Sequence, residues 1–222
     1  MAEILPGVHA LRVIGAKAHL LVEDEITLVD AGHRGSGRLV QRYLERIGRS
    51  QRDITRIVCT HGHPDHIGGV AEIAAASGAT IHIHPADAAR LRIGLRDVLA
   101  NPVPGHVLAF LTRPLNDPKP LLHGDVLPAL GGLHVVHTPG HTPGSVCLYA
   151  PSLRLLFTGD VLQFRQGRLT RPHHVFSDDL AEARRSVARL AELDVETICF
   201  AHYPPLRGGA SGALRGLAEV WA

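Results

Sequence analysis

Short runs of apolar residues broken by polar or glycine positions open the chain. "HALRVIG", "AHLLVE" and "ITLVDAG" read as three successive strands. From Ser36 to Gly48 the spacing lengthens to that of a helix. Leu39, Val40, Tyr43, Leu44 and Ile47 form one apolar face, Ser36 is placed to cap it and Gly48 to end it. "ITRIVCT" is the next strand. "DHIGGVAEIAAASG" predicts a helix, "TIHIHP" a strand, and a further helix runs from Pro85 to about Gly94.

The period is lost from Asn101 to Pro120, where five prolines fall. This segment reads as an irregular insertion or lid, with one short apolar helix around "HVLAFL". Regularity returns in the strands "LHVVHT", "SVCLYA" and "RLLFTGD", the helix "SDDLAEARRSVARLAEL", the strand "TICFAHY" and a helix from about Ser211. No internal repeat and no clear linker divides the chain. Strands followed by helices in both halves predict an α/β (α+β) protein, 1–222 as a single domain, with two sheets and helices outside them.

Composition narrows the class. With 222 residues, 45% hydrophobic and 20% charged, the chain suits a globular domain with a sizeable core. A formal net charge of +2 is too small to predict a nucleic-acid partner. Lys17 and Lys119 are the only lysines in an arginine-biased set of cations. Cys59, Cys147 and Cys199 each sit in an apolar run, an odd number of core-like thiols that fits a reducing compartment. The start "MAEILPGVHALRV" reads as lacking a signal peptide, and no apolar run approaches the ~18 residues of a membrane span. A cytoplasmic protein acting on a small molecule, without nucleic acid or membrane, is expected; a homodimer is left open.

The anomaly is sixteen histidines. "THGHPDHIGG" places His61, His63, Asp65 and His66 in an H-x-H-x-D-H pattern directly after a strand. Imidazole nitrogen and carboxylate oxygen are preferred ligands of zinc and related divalent metals. A random chain of this composition would show the pattern only about 0.004 times, so a solvated loop is a poor account of it. Three later strands end on ligand-type residues too: His141 in "TPGHTPGS", Asp160 in "LLFTGD" and His202 in "ICFAHYPP". Rigid sheets place functional groups at such exits. The seven together are the number that two metals sharing one carboxylate would use.

These motifs, in this order and approximate spacing from about Val8 to His202, resemble the metallo-β-lactamase superfamily. The resemblance implies a four-layer αβ/βα sandwich with the metal site along one edge between the sheets. It assigns His61, His63 and His141 to one metal, Asp65, His66 and His202 to a second, and Asp160 as the bridge. Asp30 in "LVDAG" matches a position that braces the site from behind. The cofactors implied are two zinc ions, with iron or manganese as the alternatives.

Departures from family branches narrow the activity. Drug-hydrolysing β-lactamases of the superfamily carry Cys or Ser where Asp160 stands. The short segment after His202 leads us to expect that the glutathione-binding helical domain of glyoxalase II is absent. The large extra modules of the nuclease branches do not appear either. The expected activity is hydrolysis of an ester, thioester or lactone by a metal-bridged hydroxide, with Asp65 ligating one metal and orienting that nucleophile. The rivals are a mononuclear-iron persulfide dioxygenase and an inactive metal-holding interaction module.

Other candidates carry bland readings beside the functional ones. His82 and His84 in "IHIHP" suit core or edge positions because the metal set is already complete. His137, four residues before His141, is expected to support the ligand loop. Arg165, Arg168 and Arg171 follow Asp160 in what reads as a loop, where they clamp an anionic substrate or simply meet solvent. Tyr203 after the last ligand either polarises a carbonyl or packs.

Overall fold

Lys17–Val22 and Ile26–Val29 bury four consecutive side chains each, the mark of strands covered on both faces. They belong to the first of two compact units, Met1–Leu121 and Leu122–Ala222, into which the computed structural model divides. Residues 2–90, 95–100 and 115–221 are described.

The first unit is built on a seven-stranded sheet in sequential order: β1 (Ala2–Leu5), β2 (Val8–Arg12), β3 (Lys17–Val22), β4 (Ile26–Val29), β5 (Ile54–Val58), β6 (Thr80–Ile83) and β7 (Lys119–Pro120). Pairing is antiparallel from β1 to β4 and parallel from β4 to β7. The helices are α1 (Gly37–Arg46), α2 (Pro64–Ile67), α3 (Val70–Ser77), α4 (Pro85–Arg90) and α5 (Leu95–Ala100). Val40, Tyr43 and Leu44 of α1 and Val70 and Ile73 of α3 pack on Leu28, Ile54, Ile57 and Ile81 of the sheet. Parallel pairing brings the carboxyl ends of β4 and β5 side by side, and Asp30 N donates to Val58 O at 2.9 Å. Ligand chemistry in parallel sheets collects at such ends.

Two local features differ from expectation. Ser36 stands before α1 but makes no side-chain cap; fully buried, its Oγ accepts from Ile14 N at 3.2 Å instead. The single helix expected over 65–78 is two, broken at Gly68 and Gly69. A Cβ on Gly68 would meet Pro64 O at 2.5 Å, and one on Gly69 would meet Ala31 O at 2.5 Å. The glycine pair lets the histidine loop lie against the turn after β4. The expected helix from Pro85 is seen to Arg90, and its remainder, 91–94, lies outside the described residues. So does most of the lid segment, 101–114, with the helix expected around "HVLAFL"; the end of the segment forms β7.

The second unit carries a six-stranded sheet. β8 (Val126–Leu127), β9 (Leu133–His137), β10 (Val146–Ala150), β11 (Leu155–Phe157), β14 (Thr197–Cys199) and β15 (Leu206–Arg207) take the spatial order β15-β14-β11-β10-β9-β8. Only β11 and β14 pair in parallel. Val187 and Leu190 of α6 (Leu180–Leu190) and Leu214 of α7 (Ala210–Val220) cover this sheet, with Leu156, Ile198 and Phe200 beneath them. Gln163–Arg165 and Arg168–Thr170 form a separate hairpin, β12–β13, where a loop was expected. All three cysteines are buried and none is in a disulfide. No described helix is long and apolar enough to cross a membrane.

Candidate metal centre

In the first unit the turn after β5 places His61, His63 and His66 together, all nearly or fully buried. The His61 ring centroid lies 4.7 Å from that of His63 and 4.0 Å from that of His66. His61 Nε2 and His63 Nδ1 are 3.1 Å apart. Asp65, the most accessible of the four, sets its Oδ2 3.7 Å from His66 Nε2. Burying three imidazoles in one another's contact is costly unless something binds their nitrogens. A divalent cation is the group that suits three such donors and a carboxylate.

The bonds behind the rings decide which nitrogens face forward. Asp30 sits at φ 57°, a left-handed conformation uncommon for a non-glycine residue, and is buried. Its Oδ1 accepts from Thr60 N and its Oδ2 from Thr60 Oγ1, each at 2.8 Å. The Thr60 hydroxyl proton is thereby committed, so at 3.1 Å from His61 Nδ1 the same oxygen acts as acceptor and Nδ1 carries the proton. His61 Nε2 is left with a lone pair. His66 Nδ1 donates to Asp30 Oδ2 at 2.8 Å, leaving a lone pair on its Nε2 in the same way. Asp87 of α4, buried, accepts from Gly62 N at 2.6 Å and pins the loop between the first two histidines.

His141 of the second unit follows Gly140 at φ 131°, where a Cβ would run into the Ala183 backbone nitrogen of α6. Asp179 N donates to Gly140 O at 2.9 Å and Ser186 Oγ to Pro139 O at 2.8 Å, tying the turn to α6. His137 Nε2 lies 2.9 Å from Pro143 O and holds the far side of the same turn. Behind His141 the logic of Thr60 recurs. Ser177 Oγ donates to His173 O at 2.8 Å, so it accepts from His141 Nδ1 at 3.2 Å and leaves Nε2 with the lone pair. Asp160, three residues beyond the last residue of β11, then sets Oδ2 3.8 Å from His141 Nε2 and 3.2 Å from His202 Nε2. A lone pair facing a carboxylate oxygen is repulsive on its own. A cation between them removes the repulsion, so the donors of this unit fit a metal as well.

Thiols take no part. Burial first, then the charges of Asp30 and Asp87, push Cys59 well above the ordinary thiol range, and burial pushes Cys147 up to about 12. His19 is held neutral, pushed down to about 3 by burial, with Lys17 and His66 adding to the effect.

His82 Nε2 lies 3.1 Å from Thr80 Oγ1 on its own strand, and His84 Nδ1 accepts from Ala86 N at 3.3 Å at the start of α4. Tyr203 is half-buried with its ring edge-on to Phe200, centroids 6.4 Å apart. Arg165 and Arg168 are exposed on the hairpin, and Arg171 is exposed just after it. The sequence reading missed Thr60, Asp87 and Ser177. Thr60 adjoins the candidate donor His61 and offered a signal; Ser177, 36 residues from His141, offered none.

Two groups of histidine and aspartate donors at strand exits, each braced from behind, make this a metal-binding α/β protein of the metallo-hydrolase class. The family description "Metallo-beta-lactamase superfamily" matches residues 14–202, and the chain belongs to that family. It is 27% identical to the probable metallo-hydrolase YflN of Bacillus subtilis (strain 168), over 93% of this chain and 87% of that protein. It is 37% identical to a hydroxyacylglutathione hydrolase of Fuscovulum blasticum over 67% of this chain, which spans 48% of that relative. Among solved structures, the metallo-beta-lactamase family protein TTHA1429 from Thermus thermophilus superposes with a TM-score of 0.78. That match covers 98% of this chain and 79% of the other at 24% identity, which establishes the metallo-β-lactamase fold expected above.

Proposed function

We propose that the chain is a metal-dependent hydrolase of esters, thioesters or lactones. Two divalent ions, zinc before iron or manganese, would be held by His61, His63, Asp65, His66, His141, Asp160 and His202. One observation carries the reading: a single oxygen of Asp160 faces both His141 Nε2, at 3.8 Å, and His202 Nε2, at 3.2 Å. The family pattern gives those two histidines to different ions, and a carboxylate shared between them is what a bridge requires. The 37%-identical hydroxyacylglutathione hydrolase, by its name a thioesterase, supports thioesters within the substrate class.

When bound, such ions polarise a carbonyl and let water act as a nucleophile near neutral pH. The chain's own residues do the rest. Asp30, through Thr60 and directly through His66, and Ser177, through His141, keep the donor nitrogens deprotonated and aimed. Among the donors of the first unit, Asp65 is the one open enough to reach an attacking water and hold its orientation; its side chain is 26% exposed where that of His66 is 0%.

The test is elemental analysis of the purified protein beside a panel of esters, lactones and thioesters. Two zinc per chain with turnover of at least one class is expected. One iron, no zinc and oxygen uptake with a persulfide would replace the hydrolase by the dioxygenase. Two metals without any turnover across the panel would leave only the metal-holding module.

A further inference from the structure

Arg165 and Arg168 face each other across the β12–β13 hairpin as direct register partners. Like charges directly opposite on a sheet are destabilising. Neither guanidinium, nor that of Arg171 just beyond, has an ion-pair or hydrogen-bond partner among the described residues, whereas those of Arg49 and Arg154 each pair with a carboxylate. All three line one cleft of about 400 Å³ in the second unit, together with Thr170, His173 and His174. No aspartate or glutamate lines it among the described residues. The cleft adjoins the donor group through bonds already described: its His173 accepts, by its carbonyl, the Ser177 hydroxyl that orients His141. Gln163, at the start of the hairpin, follows Asp160 by three residues.

The geometry points to a subsite for the phosphorylated carrier portion of the substrate. We infer that the cleft binds a phosphoanhydride-type polyanion attached to the leaving group of a thioester. This deepens the hydrolase reading and rests on it. Each guanidinium presents five N–H donors in a planar fork, and three such forks offer more donors than one carboxylate's two oxygens can accept. Adjacent phosphoryl groups supply both the oxygen count and the charge. A cleft of this size also exceeds what a single small anion fills and falls in the range of small-molecule sites.

The experiment compares two thioesters with the same acetyl group, S-acetyl-coenzyme A and S-acetyl-pantetheine, on the metal-loaded full chain. Pyrophosphate binding by calorimetry is measured beside them. The wild type should favour the phosphorylated thioester in kcat/KM by at least about tenfold, mostly through KM. The ratio should collapse towards one in Arg165→Gln/Arg168→Gln, and pyrophosphate binding should weaken by at least about tenfold, as loss of charge-assisted bonds implies. Should the double variant misfold by circular dichroism, Arg171→Gln and a salt titration of the wild type replace it; each should lower the same ratio. A ratio near one in the wild type, or one unmoved by the arginine changes, overturns the inference. Pyrophosphate binding with a ratio near one means that the cleft holds a free anion and not a substrate carrier, which overturns it as well. If no thioester is turned over, this inference is overturned, while the hydrolase reading is decided separately by the esters and lactones of its own panel.

Discussion

Three of the candidate donor histidines donate Nδ1–H to an oxygen that cannot give the proton back: Thr60 Oγ1, Asp30 Oδ2 and Ser177 Oγ behind His61, His66 and His141. Two of the three acceptors are hydroxyls whose own proton is committed elsewhere. Thr60→Val and Ser177→Ala should therefore weaken metal binding by about 10–100-fold without unfolding the chain, with Thr60→Ser restoring most of it. Competition titration against a chelator reads this, and unchanged affinity in both would refute the tautomer argument. His19 sets a second expectation. Its folded pKa of about 3 lies below the ordinary 6.5, so below pH 6.5 the unfolded chain takes a proton that the native chain refuses. Stability from this group is complete above 6.5 and is lost as pH falls towards 3, at up to about 1.4 kcal/mol per pH unit. Urea midpoints at pH 7, 6 and 5 should fall less steeply in His19→Gln than in the wild type; parallel slopes would mean that His19 titrates alike in both states.

At the scale of elements, the turn between β9 and β10 shows how a loop becomes a ligand mount. Gly140 takes a φ of 131°, and α6 passes so close that no side chain fits. Gly140→Ala should cost at least about 2 kcal/mol in urea unfolding and displace His141, because strain and overlap act together. Gly78 caps α3 at φ 77°, and a Cβ added there would meet nothing within 4 Å, so Gly78→Ala should cost only about 1 kcal/mol. Equal costs would show that the closeness of α6 is immaterial. The same elements explain what the sequence made legible. Long strands and the apolar face of α1 were readable because their periods persist over several residues, and the candidate donors because each stands at the exit of a strand. β7, β8 and β15 have two residues each, too few to carry a period. The break between α2 and α3 depends on Ala31, Pro64 and Arg34 lying close to two glycines, which spacing along the chain does not encode. The supports Asp87 and Ser177 act on residues 25 and 36 positions away, so only the folded chain reveals them.

At the scale of the whole molecule, the donors divide between the units: His61, His63, Asp65 and His66 in the first, His141, Asp160 and His202 in the second. An ion held by either donor group binds only when that unit is folded, so its binding energy stabilises the unit. At a free metal concentration about a thousandfold above the dissociation constant, that linkage amounts to about 4 kcal/mol. Chelation should accordingly lower the thermal midpoint by several degrees, and amide exchange should quicken in β5 of the first unit as well as in β11 of the second. Asp160→Asn sharpens the test. It keeps the side chain's shape but removes the charge that offsets repulsion between two cations. The second ion should then be lost first, turnover should fall at least about a hundredfold because catalysis depends on placement, and circular dichroism should stay native. Two ions still bound with near-normal turnover would remove the bridge from Asp160. A unit whose protection is unchanged on chelation would be shown to hold no metal through its donor group.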